Sequence, residues 1–435
     1  MSQSLKNGVF GLQHVLAMYA GAVIVPLIVG GALGLNGEAL TYLVSIDLLM
    51  CGVATILQAL RSRYIGIGLP VVLGCTFTAV APMMAIGQAS GITAIYGAIL
   101  VAGVFVIAIA PFFGKLASYF PPVVTGSVVT IIGITLIPVA MGYIQGESES
   151  GQAPLTHLFI SFVVLATIIG LQRLFTGFIR AVSILIGLVG GSVLASFFGL
   201  VDFTAVKEAS WFHMPEPFYF GAPTFLWGPI ITMILVAMVS LVESTGVYYA
   251  LADLSDRELD ERDLTNGYRA EGVGILLGGF MNAFPYTAYS QNVGLVQLSG
   301  MRSPKVVITA GVMLVVIGFV PKVGALTTLI PDPVLGGAMI AMFGMVMAYG
   351  IKMLSATDLA RQENLLIIAC SVGIGLGVTV SPETFQLLPS SVQMLTENGI
   401  VAGSFTAIIL NVALNHRLKE KSQKTKLKKS KQVAS

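Results

Sequence analysis

From end to end the chain is built of apolar runs long enough to cross a bilayer. Val9–Leu33, Pro122–Gly142, Ser183–Leu200 and Pro229–Ala252 each approach the roughly 20 residues that span a hydrocarbon core. A water-soluble fold could bury such runs only under a coat of polar sequence, and there is too little of it. Of 435 residues, 55% are hydrophobic and 10% are charged; an ordinary soluble domain carries about 25% charged residues. The mean hydropathy of +0.88 agrees. The chain reads as an all-α polytopic membrane protein. No secretory leader is expected, because the first run is too long and lacks a small-residue cleavage site. Cys51, Cys75 and Cys370 sit in apolar stretches without shared spacing, and read as small buried side chains rather than metal ligands or a disulfide framework.

The length rule divides the chain into about fourteen segments, near 10–33, 40–60, 68–87, 93–113, 122–143, 156–173, 180–199, 228–252, 268–283, 285–299, 305–320, 332–350, 363–380 and 399–415. Threaded with the N-terminus in the cytoplasm, they leave 21 of the 23 Lys and Arg residues inside, and only Lys207 and Lys322 outside. The positive-inside rule predicts such a bias, and an odd error in the count would scramble it. GESESG (146–151) and the loop 201–227 fall outside. The basic tail 416–435 has no apolar face and reads as a solvated cytoplasmic end near anionic headgroups.

Two pairs of stretches repeat. PVVTGSVVTIIG from Pro122 matches PVLGGAMIAMFG from Pro333 at an offset of 211, and PVVLGCTFTAV from Pro70 matches PYTAYSQNVGL from Pro285 at an offset of 215. Seven segments separate the partners of each pair, and an odd number inverts the second copy. The third and tenth segments both begin at a proline and are interrupted by small or polar residues. Inverted repeats with two broken segments are the build of a secondary transporter with its site near the midplane.

Four ionisable residues lie within the segments: His14, Asp47, Glu243 and Glu271. Such residues face the protein interior or a water-filled cavity. Glu243, in ITMILVAMVSLVESTGVYYAL, has no basic residue within a turn. It can accept from a ring N–H, donate when protonated, or carry a coupled proton; a structural bond to a neighbouring helix is the plainer reading. Glu271 follows Arg269 at the expected cytoplasmic start of the ninth segment, where charges are common. His14 suits a polar contact between helices or a proton-linked group. Asp47 has no local partner, and pairs across helices or with a helix N-terminus.

A broken segment frees backbone N–H and C=O groups, which protein or a cavity must satisfy. Ser290–Gln291–Asn292 stand where a half-helix N-terminus should fall, with donors and acceptors suited to a planar ligand edged by C=O and N–H groups. The matching place in the third segment is Cys75–Thr76–Phe77, where Phe77 offers either a stacking face or ordinary packing. The glycines of GVGILLGG fit helix packing. Phosphate loops, HExxH and Cys/His clusters are missing from the sequence. It offers no catalytic residues, no metal site, no nucleotide-hydrolysing domain and no nucleic-acid interface.

SQNVGLVQLSG resembles the signature of the nucleobase–ascorbate transporters, the nucleobase:cation symporter-2 family. That signature runs Gln or Glu, Asn, any residue, Gly, four residues, Thr. Here it reads Gln291, Asn292, Val293, Gly294 and, with the hydroxyl kept, Ser299. GLQHVLAMYAGAVIVPLIVG and LVESTG are also similar, and the likeness runs to the basic tail, nearest to the bacterial xanthine permeases. The resemblance implies two inverted sevens. A core domain would hold segments 1–4 (1–113) and 8–11 (201–321), and a gate domain 5–7 (114–200) and 12–14 (322–415). The third and tenth segments would contain short strands. It implies Glu243, Gln291, Phe77, Ser290, Gly21, Thr76 and Asn292 as substrate-binding or bracing residues, and Glu243, Glu271 and His14 as proton-coupling candidates. Where family members carry His or Asp four residues after the glutamate, this chain has Val247, which leaves the second coupling residue unassigned. The expected function is xanthine import by proton symport across the bacterial plasma membrane, with both termini cytoplasmic, no cofactor beyond the proton gradient, and a homodimer joined through the gate domains. Urate or another nucleobase such as uracil, or a channel-like facilitator, are the alternatives.

Overall fold

The computed structural model describes residues 3–116, 120–146, 152–385, 387 and 398–416. Most of GESESG and all but the first residue of the basic tail lie outside these. The described chain is largely helical, and eight of its helices are long and apolar enough to cross a membrane. They are α1 (Gln3–Ala32), α2 (Gly37–Ala59), α4 (Ile92–Leu116), the near-continuous pair α5 (Pro122–Thr135) and α6 (Ile137–Gln145), α7 (Leu155–Leu174), α11 (Trp227–Leu254), α16 (Asp332–Leu354) and α17 (Gln362–Val380). A ninth span arises if α14 (Pro304–Gly318) and α15 (Pro321–Thr327), bent by 90°, count as one. Shorter apolar helices are α9 (Ser183–Ser196), preceded by the single turn α8 (Phe178–Ala181), and α18 (Gly399–Asn411). In the long loop 201–227 lies the short α10 (Thr204–Glu208).

The remaining elements are those the sequence marks as interrupted or charged. β1 (Leu73–Cys75) leads through a 3-10 turn at Phe77–Ala79 into α3 (Val80–Ser90), and β2 (Tyr286–Ala288) leads into α13 (Ser290–Ser299). α12 (Glu261–Phe280) begins well before the expected 268, because Asp260 accepts from the Asp263 N–H at 2.6 Å and carboxylates fill its first turn. Both features favour a helix start. Pro residues open α5, α14, α15 and α16 at positions where a missing N–H costs nothing.

Packing repeats across the two halves. α2 packs on α14 as α4 packs on α12; α1 meets α14 as α11 meets α4; α7 lies on α16 as α17 lies on α5. Glycines set the closest of these approaches. A Cβ on Gly52 of α2 would sit 2.4 Å from the Gly311 carbonyl of α14, and one on Gly272 of α12 would sit 2.8 Å from the Ile107 nitrogen of α4. Van der Waals packing of small residues is what holds helices together where lipid removes the hydrophobic drive.

The helix ends differ in charge. At one end Arg257 pairs with Asp263 at 2.6 Å, Arg61 reaches the same carboxylate at 3.5 Å, and Arg302 binds Asp256. At the other, Lys322 donates to the Val206 carbonyl and Tyr42 to the Glu216 carbonyl, each at 2.8 Å.

Candidate substrate site between the two broken segments

The freed backbone groups of the two breaks satisfy each other. β1 and β2 pair antiparallel, with Leu73 opposite Ala288, Gly74 opposite Thr287 and Cys75 opposite Tyr286. Thr76 N–H donates to the Pro285 carbonyl at 2.9 Å and Tyr289 N–H to the Val72 carbonyl at 3.0 Å, extending the ladder at both ends. Tyr289 then folds back across the strands. Its hydroxyl donates to the Cys75 carbonyl at 3.0 Å. Its ring fills the space that glycine leaves: a Cβ on Gly74 would stand 2.3 Å from it, and one on Gly21 of α1 3.1 Å. Phe77 stacks on Tyr289 with centroids 5.9 Å apart and meets Phe343 of α16 edge-on at 5.6 Å.

α11 is stitched to both strands along one helical face. Ser240 Oγ lies 3.3 Å from Thr76 Oγ1. Ser244 Oγ accepts from the Ala288 N–H at 3.1 Å and lies 3.0 Å from Thr287 Oγ1. Glu243, between them and 6% exposed, accepts one long hydrogen bond, 3.4 Å, from Thr78 Oγ1. No ion pair reaches it among the described residues. Its remaining acceptor capacity is open to a ligand.

α13 starts directly after β2, with Tyr289 at its N-cap and no side-chain cap. Ser290 is buried and Gln291 half-buried, and neither side chain makes a hydrogen bond among the described residues. Ser290, Val293 and Gln297 share one face of α13 and line a cavity of about 680 Å³. It runs from Ser290 past Val247 and Thr125 toward Lys352 and the C-terminal ends of α11 and α16. Gln291 lies one residue round the helix and does not line that cavity. Asn292 points elsewhere: its amide donates to His14 Nδ1 at 3.1 Å, joining α13 to α1. Among the described residues no cluster of His, Cys, Asp or Glu could hold a metal ion.

One ionisable residue sits differently from its sequence reading. Glu271 is not at a helix start. Because α12 begins at Glu261, Glu271 falls mid-helix and fully buried, accepting from the Tyr248 hydroxyl, which accepts in turn from Gln58 Nε2. Asp47 takes the Phe284 backbone N–H at 2.7 Å, just before β2. Cys51 and Cys75 are both buried, with sulfurs 3.9 Å apart.

The structure thus gathers Thr76, Phe77, Glu243, Ser290 and, through Tyr289, Gly21. Gln291 stands beside them, His14 and Asn292 brace α13 from behind, and Glu271 meets the same face of α11 further along, through Tyr248. Sequence reasoning missed Tyr289, Thr78, Ser240 and Ser244. The spacing of Ser240, Glu243, Ser244, Val247 and Tyr248 on one helical face was a signal that could have found the serines.

A model of a family described as a permease family matches residues 5–384. The chain belongs to this family, the nucleobase–ascorbate transporters. It is 62% identical over 406 residues to the xanthine permease of Bacillus subtilis, covering 93% of each chain. It is 61% identical to the uric acid permease PucK of the same organism, covering 94% of this chain and 95% of that one. These relatives are transporters, not enzymes. Among solved structures, the transmembrane domain of the cyanobacterial bicarbonate transporter BicA superimposes with a TM-score of 0.64 at 15% identity, covering 95% of this chain and 98% of that one. That likeness is one of fold.

Proposed function

We propose that this permease imports a 2-oxopurine, xanthine, by proton symport across the bacterial plasma membrane. One observation carries the reading: a half-helix N-terminus without a side-chain cap opens on a cavity that α11 also lines, and one turn along α11 from that lining lies a buried carboxyl with no counter-charge among the described residues. Ser290 and the first N–H groups of α13 would receive a substrate carbonyl. Glu243 would take a ring N–H, and the unpartnered amide of Gln291 would make a bidentate contact with another edge. Phe77 and Tyr289 would wall the ring. A substrate lacking one of these groups leaves a buried polar atom unpaired, which is the basis of selectivity.

The same reading takes the chain as fourteen segments in two inverted sevens. Residues 1–113 and 201–321 form a core that moves against a gate of 114–200 and 322–415, in a homodimer joined through the gates. Proton coupling runs through Glu243, with Glu271 and His14 as candidate partners. With both termini cytoplasmic, the cavity beside Lys352 opens inward. Uric acid is the second reading, favoured by the near-equal identity to a uric acid permease.

Uptake of labelled xanthine into cells stripped of their own purine permeases tests the proposal, with urate, guanine, hypoxanthine and uracil as competitors. Xanthine should accumulate, and collapsing the proton gradient should stop it. Equal or better competition by urate would favour the second reading, and equilibration indifferent to the gradient would indicate a facilitator. Gln291→Glu should weaken xanthine uptake; unaltered uptake by that variant would overturn the role given to Gln291.

A further inference from the structure

Asp47 has no part in the proposed contacts with substrate, yet it is fully buried in α2 and makes one strong bond. Its Oδ1 accepts the Phe284 N–H at 2.7 Å. Among the described residues its Oδ2 makes no close hydrogen bond and no ion pair reaches it; the groups that stand nearest, the Cys75 thiol and the Tyr286 hydroxyl, are uncharged and belong to the two strands. Desolvating a carboxyl at membrane depth for one backbone bond is a poor way to gain stability. The bond's location supplies the reason. Phe284 precedes Pro285, which has no N–H, and the Pro285 carbonyl accepts from Thr76 N–H at 2.9 Å. From Pro285 one path leads through β2 to Ser290 and Gln291; from Thr76 the other leads to Phe77. Phe284 and Pro285 therefore stand at the end of the ladder that joins the two broken segments, and Asp47 is the side chain that holds the chain as it enters that ladder.

We propose that Asp47 is a positioning residue for purine recognition: through the Phe284 N–H it fixes the two residues, Phe284 and Pro285, that lead into the paired strands, and so the register of both walls of the site. The effect on substrate rests on the function proposed above; the effect on the peptide does not. Asp47→Ala loses the acceptor. Asp47→Asn keeps an oxygen in nearly the same place, so the inference requires Asn to rescue.

Initial rates of xanthine uptake, normalised to protein inserted in the membrane, provide the test. Asp47→Ala should raise KM about tenfold, as loss of a hydrogen bond to a charged group implies, with little change in maximal rate, and Asp47→Asn should stay close to wild type. Hydrogen exchange over residues 281–289 of the purified protein should quicken in Asp47→Ala and recover in Asp47→Asn. Should Asp47→Ala fail to insert, Asp47→Ser, which leaves a smaller hole but cannot reach Phe284, takes its place. A wild-type KM in the Ala or Ser variant, or an Asn variant as impaired as Ala, overturns the inference. If the wild-type protein takes up no purine, the proposed function fails instead, and the exchange experiment decides the role of Asp47 alone.

Discussion

The two broken segments occupy equivalent places in the two halves of the chain, yet they are finished differently. After β1, Thr76 caps its own turn, accepting the Thr78 N–H at 3.3 Å, and its hydroxyl is shared with Ser240. After β2, α13 begins with no side-chain cap, and Ser290 faces the cavity. The approaches also differ in sign. The chain entering β1 is held by a cation, Arg257, which donates to the Ile67 and Gly68 carbonyls at 2.8 and 3.2 Å. The chain entering β2 is held by an acid, Asp47, on an N–H. One break is internally satisfied and acts as scaffold, while the other keeps its polar groups free. In a medium without water, free polar groups persist only where a cavity or a ligand can serve them.

This contrast can be broken experimentally. The largest effect belongs to Glu243, the acid on α11 that touches the first segment through Thr78 and faces the second. Glu243→Gln should abolish accumulation of substrate against its gradient; uphill uptake by that variant would remove Glu243 from coupling. Next is Gly74→Val, whose side chain must displace the Tyr289 ring. Overpacking of this kind costs about 1–3 kcal/mol, measurable as a lowered midpoint of thermal unfolding in detergent, and unaltered unfolding would mean that the strands are not tightly apposed. Thr76→Val removes a cap and should cost about 1 kcal/mol of stability. Ser290→Ala breaks no internal hydrogen bond among the described residues, so unfolding should be unchanged while purine affinity falls several-fold, by roughly the 0.5–1.5 kcal/mol of one hydrogen bond. If Thr76→Val and Ser290→Ala behave alike in both assays, the division into scaffold and receptor is wrong.

Proline, glycine and the interrupted hydropathy made the positions of both breaks legible, because these residues act on their own backbone. The polar run Ser290–Gln291–Asn292 was legible as a helix start for the same local reason, although only the structure separates its members: Ser290 toward the cavity, Asn292 toward His14. Contacts between distant segments were not legible. Nothing in YLVSIDLLM says that Asp47 will meet a backbone N–H in the other half of the chain, and a backbone partner leaves no mark on residue type. Tyr289 hid among the hydroxyls of PYTAYS, since its role depends on two glycines, Gly21 and Gly74, that lie far away in sequence. Glu271 was misplaced because α12 starts in polar sequence that hydropathy reads as loop.

The strand pairing has a consequence for how such a chain is made. Among the described residues β1 has a single strand partner, β2, far along the chain at Tyr286–Ala288. While the first half leaves the ribosome and enters the bilayer, the edge of β1 has nothing of its own to bond with, and the hydrocarbon offers nothing. Completion of the site thus waits for the second strand, and a chain stalled before β2 is made would expose an unsatisfied strand edge that membrane quality control can recognise.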